Sequence, residues 1–376
     1  MKILIPTADY PPIEGGISTV ALQLSRELAA LGHDVTVIAP HFPGQAEWDA
    51  REPAVVRRYR GYGLGWFRLI PLLAAAWPHA RRADLILGIN VAYGGVLGWL
   101  SRRIHGVRYV TFAYAYEFLK FRRTPVVARL LKRVYARAAL VVAISQFTRD
   151  NLTAFGASPH NIATILPGAP KPHALSGDAL AAARRKFVLE GRRVILAVGR
   201  LVARKGHRTL VRALPRILER VPDAQLVIVG RGPCLSDVVQ DARNLGVRDH
   251  VLLAGHLDDE DVAALYAVCD VFALPAGVGE RGQVEGFGLV FAEAHAYAKP
   301  VVAGRSGGVV DAVLDGETGL LVEPDDPEAL AGAVLRILED PALARRLGEN
   351  GRRRVESELN WAEFTRRLLD ALETAP

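Results

Sequence analysis

Short apolar runs alternate with segments of helical periodicity along the first 170 residues. A helical pattern from about 18 to 31 follows the first run and ends at Gly32. Strands that are separated by helices pair in parallel through crossover connections, so this pattern predicts a doubly wound α/β sheet. The runs that we interpret as its strands are 3–5, 35–39, 85–87, 108–112 and 140–144.

The same alternation begins again after residues 167–172, whose sequence Pro-Gly-Ala-Pro-Lys-Pro continues neither a helix nor a strand. We expect a second Rossmann-like domain over 171–358, facing the first domain (1–170) across a cleft at the carboxyl ends of the strands. Its apolar runs are 194–198, 225–229, 251–254, 271–274 and 301–303, and its helical patterns are 178–187, 206–220, 235–245, 259–267 and 288–298.

The segment 284–294 follows the run at 271–274 and opens a helix. Its glycines keep the loop thin, so backbone amides at the start of the helix can approach an anion directly. Two carboxylates accompany these amides: Glu285 in the loop and Glu293 about two turns into the helix. The combination suits a sugar diphosphate, because carboxylates accept hydrogen bonds from sugar and ribose hydroxyls. The residues that we assign to donor binding here are Phe287, Gly288, Leu289, Val290 and Glu293.

Two further loops carry candidate residues at strand ends. Arg200 and Lys205 directly follow the apolar run at 194–198, and two cations there can neutralise a diphosphate as it departs. Gly15 and Gly16 lie between the first strand and the first helix, where thin backbone lets amides reach a phosphate. Both loops therefore predict contacts with a diphosphate.

The two glutamates, with seven residues between them, resemble the donor-site motif of retaining GT-B glycosyltransferases. That family includes sucrose and glycogen synthases and the phosphatidylinositol mannosyltransferases. Residues 298–308 are similar to its bacterial lipid mannosyltransferase branch. The resemblance covers nearly the whole chain. It implies a GT-B fold of two Rossmann-like doubly wound domains, with a C-terminal helix at about 359–376 that packs back on the first.

The resemblance also implies what each charged residue does. Arg200 and Lys205 would stabilise the diphosphate, so that neither a divalent metal nor another cofactor is needed. Glu285 would hold sugar hydroxyls, and Glu293 would hold the ribose.

The family's glycine-rich loops imply further donor contacts. Gly15 and Gly16 would contact the diphosphate from the first domain. Gly230 lies in a segment that resembles the family's loop near the nucleotide. Leu257 would present its backbone to the base.

One position departs from the family pattern. Many members carry His-Gly-x-Glu after the fourth strand, with the histidine beside the transferred sugar, and here the matching stretch is Tyr114-Ala115-Tyr116-Glu117. Tyrosine can donate a hydrogen bond but carries no positive charge near neutral pH. We retain Tyr114 as a candidate catalytic residue, and its chemistry weighs against a mechanism that needs an imidazole there.

Charge is shared unevenly between the two halves of the chain. Residues 1–170 contain 20 Lys and Arg and 10 Asp and Glu, a net charge of +10, whereas residues 171–376 carry a net charge of −3. Aromatic residues such as Trp66 and Trp77 lie near basic clusters, among them 57–60, 81–82 and 120–123. This mixture favours an anionic membrane surface over nucleic acid, because no nucleic-acid fold signature accompanies it. The alternative is a solvated basic surface.

Other features narrow the class of protein. Two cysteines are too few for a disulfide framework and are interpreted as core residues. The acidic run at 258–261 stands before an apolar helix, so helix capping explains it better than metal binding. With neither a signal-peptide pattern nor an apolar stretch of roughly 20 residues, we expect a cytoplasmic protein that can lie peripherally on the inner face of the cell membrane.

The sequence therefore predicts a retaining hexosyltransferase. It would move a mannose- or glucose-type hexose from a nucleotide sugar, GDP-mannose or a UDP-hexose, to a lipid-linked or saccharide acceptor. Three alternatives remain open. A sugar-nucleotide epimerase of the same fold would exchange the sugar without an acceptor, and a glycosyl phosphorylase would need a pyridoxal-phosphate lysine. A non-catalytic sugar-nucleotide binder has slight support from Tyr114.

Overall fold

The computed structural model describes residues 1–121, 124–280 and 282–375, without the side chains of Trp66 and Tyr116. Arg122 and Arg123 of the basic cluster at 120–123 lie outside the described residues, as does the Trp66 side chain. The chain divides into two compact units, Met1–Pro167 with Trp361–Pro376 and Gly168–Asn360. The expected divisions stood after residues 170 and 358.

The first unit is built on a parallel sheet. Its strands within the described residues are β1 (Lys2–Pro6), β2 (Asp34–Pro40), β3 (Val55–Tyr59), β4 (Leu85–Gly88), β5 (Arg108–Ala113), β6 (Leu140–Ala143) and β7 (Ile162–Thr164). They lie in the order β3-β2-β1-β4-β5-β6-β7, so the direction of winding reverses between β1 and β4. The central strands are almost wholly buried, because helices cover both faces of such a sheet.

Helices connect these strands and supply the rest of the core. They are α1 (Gly16–Ala30), α2 (Gln45–Asp49), α3 (Leu69–Ala80), α4 (Val96–His105), α5 (Tyr116–Leu119), α6 (Pro125–Arg137) and α7 (Gln146–Phe155). In α1, Val20, Leu24 and Leu28 recur at four-residue spacing and are buried, which is the apolar stripe of a surface helix.

The second unit repeats the plan. Its strands in the described segments are β8 (Arg193–Val198), β9 (Ala224–Val229), β10 (Val251–Gly255), β11 (Val271–Leu274), β12 (Val301–Gly304) and β13 (Gly319–Val322). They lie in the order β10-β9-β8-β11-β12-β13, and every pairing is parallel. The winding reverses between β8 and β11. Both sheets confirm the expected doubly wound α/β architecture.

The helices of the second unit flank this sheet. They are α8 (Gly177–Lys186), α9 (His207–Leu218), α10 (Leu235–Asn244), α11 (Asp259–Val268), α12 (Leu289–Ala296), α13 (Val309–Ala312), α14 (Pro327–Glu339) and α15 (Pro341–Ser357). At the start of α11 the Asp261 N–H donates to the Asp258 carboxylate at 2.8 Å, which confirms that the acidic run at 258–261 caps a helix.

The last helix, α16 (Trp361–Glu373), belongs to the first unit. The ring of Phe364 stacks on Phe112 of β5 with centroids 6.2 Å apart, and both side chains are fully buried. An Arg108 N–H donates to the Leu372 carbonyl at 3.2 Å. The C-terminal residues thus complete the core of the N-terminal unit.

Candidate active site

The loops with the strongest sequence signals leave the second sheet where its winding reverses. The loop after β8 carries Arg200 and Lys205, and the segment after β11 leads to Glu285. β8 and β11 are hydrogen-bonded neighbours, with Val271 opposite Ile195. At such a reversal the connections diverge to opposite faces of the sheet and leave a crevice at the carboxyl ends of the strands.

Lys205 and Glu285 meet at this crevice. A turn of 3₁₀-helix over Ala203–Lys205 directs the lysine inward, and its Nζ lies 2.7 Å from Oε2 of Glu285. Only 8% of Lys205 is exposed. A lysine this deeply buried requires a charged partner, and Glu285 supplies it.

Arg204 joins the same pair, although the sequence analysis did not select it. Its Nη1 donates to Oε2 of Glu285 at 2.6 Å, and 19% of the arginine side chain is exposed. In the sequence, two consecutive cations in the turn after β8 could have indicated that Arg204 belongs to the site. The carboxylate that they share, 80 residues further along the chain, is a feature of the tertiary structure alone.

The two glutamates of the motif lie in opposite electrostatic environments. Burial by itself raises the pKa of Glu285, but the charges of Lys205 and Arg204 outweigh it and lower that pKa to about 2. Burial raises the pKa of Glu293, against the hydrogen bond that it accepts from the Tyr266 hydroxyl at 2.9 Å and against the charge of Lys205. Lys205 therefore acts on both carboxylates, and Glu285 is held as an anion at neutral pH.

Neighbouring loops hold the backbone around Glu285. The Gly308 N–H, after β12, donates to the Glu285 carbonyl at 2.9 Å. Gly307 approaches so closely that an added Cβ would lie 2.4 Å from that carbonyl oxygen. The Gly277 N–H donates to the Arg204 carbonyl at 2.8 Å. Three loops are thereby joined at one edge of the sheet.

Helix α12 begins beside Glu285, as the motif predicts. Gly288 precedes it with φ 91°, and the first amides of the helix, at Leu289 and Val290, have no carbonyl one turn earlier to bind. These amides are suited to an anion. The Phe287 side chain is buried, so the group that this residue offers a ligand is its backbone.

Arg200, Gly230 and Leu257 lie at the ends of the neighbouring strands. Arg200 is exposed and forms no ion pair within the described parts of the chain, so the structure does not bring it into contact with Glu285. Gly230 has φ 134°, and its N–H donates to the Gly255 carbonyl at 2.6 Å. Leu257 follows β10 and is half-buried, between exposed neighbours.

Replacing Gly206 by alanine is expected to lower the free energy of unfolding by about 2–4 kcal/mol. Gly206 has φ 73°, and an added Cβ would lie 2.5 Å from the Pro275 carbonyl oxygen. Gly246→Ala is the matched control, because φ is 69° but nothing lies within 4 Å of its added Cβ. We expect the control to cost about 1 kcal/mol. Equal losses in urea unfolding would show that the contact with Pro275 has no energetic weight.

The first unit places its glycine loop in the same way. Gly15 has φ 141° and precedes α1, which begins at Gly16, so both residues lie after β1 at the reversal between β1 and β4. The segment after β4 packs tightly there, since a Cβ on Gly94 would lie 2.5 Å from the Pro6 carbonyl oxygen. Gly15 and Gly16 are exposed at a helix start that suits an anion.

Tyr114 directly follows β5 in the first unit. Its N–H donates to Oε1 of Glu117 at 2.7 Å, and its hydroxyl is buried without a hydrogen-bond partner among the residues that the structure describes. Burial raises the pKa of Tyr114 well above its ordinary value, so the phenol stays neutral. Ala115 has φ 74°, the left-handed conformation that glycine favours, in agreement with the glycine of the family's motif at this place.

An ion pair that the sequence analysis missed lies at the same edge of the first sheet. Asp9, three residues after β1, lies 3.8 Å from Arg68, whose guanidinium also packs over the ring of Tyr93. Burial raises the pKa of Asp9 despite the charge of Arg68. In the sequence, a carboxylate just after a buried strand could have marked Asp9 as a candidate. Its partner could not be identified in this way, because Arg68 is 59 residues away along the chain.

Two further properties of the described residues concern metal binding and the crossing of a membrane. Within them, no group of three or more His, Cys, Asp and Glu side chains is arranged to hold a metal ion. In the same part of the chain, every helix is too short or too polar to cross a membrane.

The two doubly wound sheets, with charged and glycine-rich loops at the carboxyl ends of their strands, define a class of protein. Two family models match the chain and agree with this class. Residues 181–354 match the glycosyl transferases group 1, and residues 15–168 match a glycosyl transferase 4-like domain. The chain belongs to the group 1 glycosyltransferases and has the GT-B fold.

Several relatives are similar to nearly the whole chain. The GDP-mannose-dependent alpha-(1-6)-phosphatidylinositol monomannoside mannosyltransferase of Mycolicibacterium smegmatis is 35% identical, with 98% of each chain covered. The protein of the same description from Mycobacterium tuberculosis (strain ATCC 25618 / H37Rv) is 32% identical, covering 99% of this chain and 98% of its own.

Two solved structures share the fold. Alr3699/HepE of Anabaena, in complex with UDP, has a TM-score of 0.84 with 21% identity and full coverage of both chains. The sucrose-phosphate synthase of Thermosynechococcus elongatus has a TM-score of 0.79 with 26% identity, covering 99% of this chain and 98% of its own. These similarities confirm the expected fold class and family.

Proposed function

We propose that this protein is a retaining mannosyltransferase that transfers mannose from GDP-mannose to a phosphatidylinositol-based glycolipid. The observation that carries the donor assignment is the contact of Lys205 with Glu285 at the reversal of the second sheet. The names of the two mycobacterial relatives support GDP-mannose and a lipid acceptor.

The second unit would bind the donor through groups of opposite charge. Glu285 accepts hydrogen bonds from sugar hydroxyls because it is ionised. Arg204 and Lys205 both approach its Oε2, which leaves the other carboxylate oxygen for the sugar. Glu293 accepts hydrogen bonds from the ribose. The amides that open α12 bind the diphosphate, with Gly230 and Leu257 beside the nucleoside.

Charge on the leaving diphosphate grows as the glycosidic bond breaks. Lys205 is buried and Arg200 is exposed at the end of the same strand, so a phosphate can recruit both cations without a divalent metal. Fixed cations in a site that excludes water stabilise such developing charge more strongly than water does. We infer that the leaving phosphate itself accepts the acceptor's proton, because its oxygens gain negative charge as the glycosidic bond breaks.

The first unit offers groups of its own for a ligand. Gly15 and Gly16 present exposed amides that suit an anion, and the Tyr114 hydroxyl, which has no partner among the residues that the structure describes, can donate a hydrogen bond. The net charge of +10 over residues 1–170 suits an anionic acceptor.

A membrane surface is the partner that we propose for the face around α3. Phe67 is 73% exposed and Ile70 66% exposed, and residues of α3 together with Leu100 line an apolar groove of about 360 Å³. Arg81 and Arg82 follow α3 on the surface. Exposed apolar side chains with adjacent arginines favour an anionic interface. Sedimentation with phosphatidylinositol vesicles should exceed that with phosphatidylcholine vesicles, and equal sedimentation would refute this partner.

The donor is tested with purified protein. We expect GDP to raise the melting temperature more than UDP does, and mannose to pass from GDP-mannose to a phosphatidylinositol mannoside in the presence of EDTA. A requirement for the acceptor excludes an epimerase. Binding without transfer would identify a non-catalytic binder, and a preference for UDP would overturn the proposed donor.

A further inference from the structure

Arg204 connects the two loops of the donor site by two separate contacts. Its guanidinium donates to Glu285 at 2.6 Å, and its carbonyl accepts from the Gly277 N–H at 2.8 Å. Gly277 lies at the start of the segment that leads from β11 to Glu285. The arginine therefore fixes both ends of the segment that carries the carboxylate.

The two cations share one oxygen of Glu285. Arg204 Nη1 and Lys205 Nζ lie 2.6 Å and 2.7 Å from Oε2, whereas Oε1 has no hydrogen-bond partner among residues 1–121, 124–280 and 282–375. This leaves Oε1 for a ligand. An arginine at this distance also restricts the direction in which the carboxylate points, since its N–H groups form a rigid planar fork.

Lys205 serves two partners if the donor binds as proposed. When no donor is bound, the Lys205 ammonium pairs with Glu285. The diphosphate of a bound donor would attract this ammonium as well. Glu285 is partly buried, with 16% of its side chain exposed. If Lys205 moved away, the negative charge of this carboxylate would be poorly compensated beside an incoming anion. Arg204 is the second cation that removes this cost.

We propose that Arg204 is a positioning residue for sugar recognition, holding the Glu285 carboxylate in place while Lys205 turns to the donor's diphosphate. The inference rests on the proposed function, because it assigns Glu285 to the sugar. Arg204 touches neither sugar nor phosphate in this arrangement and acts through Glu285. Its effect should therefore depend on the sugar.

A purely structural ion pair would behave differently. Loosening of the loop would weaken nucleotide and nucleotide sugar alike, because both bind at the same strand ends. Positioning of Glu285 affects only the ligand that carries a sugar. The comparison of GDP with GDP-mannose separates the two roles.

The test is calorimetric titration of GDP and GDP-mannose into wild-type protein and the Arg204→Ala variant. We expect the Kd for GDP-mannose to rise about 10-fold or more and the Kd for GDP to rise less than about 3-fold. Arg204→Lys keeps the charge and should recover part of the loss. Arg208→Ala is the matched control, because Arg208 pairs with Asp241 at 2.8 Å, away from Glu285.

A second comparison makes the outcome specific. In a Glu285→Gln background, Arg204→Ala should weaken GDP-mannose binding no further, since the group that it positions has changed. Equal losses for the two ligands, or no loss for GDP-mannose, would overturn the inference. If wild-type protein bound neither ligand, the proposed donor itself would be wrong, and the inference would fail with it.

Discussion

Lys205→Ala should lower kcat for sugar transfer by about 10²–10³-fold. The lysine is the buried cation of the donor site, 8% exposed, with its ammonium 2.7 Å from Glu285. Removing it takes away stabilisation of the departing diphosphate, and the loss appears mainly in the transition state, where the charge on that group is largest. Initial rates with GDP-mannose and a saturating lipid acceptor measure the effect.

Two controls distinguish chemistry from folding. Lys186→Ala removes a lysine of the same unit whose side chain is 57% exposed and pairs with Asp261, and it should leave kcat unchanged. The melting temperature of Lys205→Ala should stay within a few degrees of wild type, because Arg204 still compensates Glu285. A variant that is well folded and fully active would refute the assignment of Lys205 to the diphosphate.

Phe364→Ala should lower the free energy of unfolding of the first unit by about 3–5 kcal/mol. Phe364 lies on the last helix, is fully buried and stacks on Phe112 of β5. The smaller side chain would leave a cavity between that helix and the sheet. Urea unfolding followed by tryptophan fluorescence measures the change, since Trp361 packs edge-on against Phe364.

The matched control is Phe67→Ala in the same unit. Phe67 is 73% exposed, so its removal should change the free energy of unfolding by less than about 0.5 kcal/mol. A Phe364→Ala variant as stable as the control would mean that α16 contributes little to the first unit.

The central strands of both sheets were predictable, while several edge strands were not. β8 is a continuous apolar run, because a strand between helical layers buries both faces. β3, β7 and β13 lie at sheet edges and were missed. β7 has three residues, and β3 alternates exposed with half-buried positions, so neither has the apolar run of a central strand.

The donor motif was visible in sequence because its residues are close along the chain. Glu285, Gly288 and Glu293 fall within nine residues, and the helix start that they share is a local structure. The ion pair of Asp9 with Arg68 joins residues far apart in sequence, so no local sequence pattern predicts it. Tyr114 was recognised as a departure from the family pattern, but the burial of its hydroxyl depends on the surrounding fold.

By itself, the sequence determined the doubly wound architecture, the family and the strand-end loops that carry the chemistry. These follow from periodicity, glycine placement and short motifs, which act over a few residues. Only the tertiary structure decided that Arg204 and Lys205 converge on one oxygen of Glu285 and that Arg200 stays apart from it. The physical reason is that ion pairing and burial depend on distance in space, and this distance is set by the packing of the whole sheet.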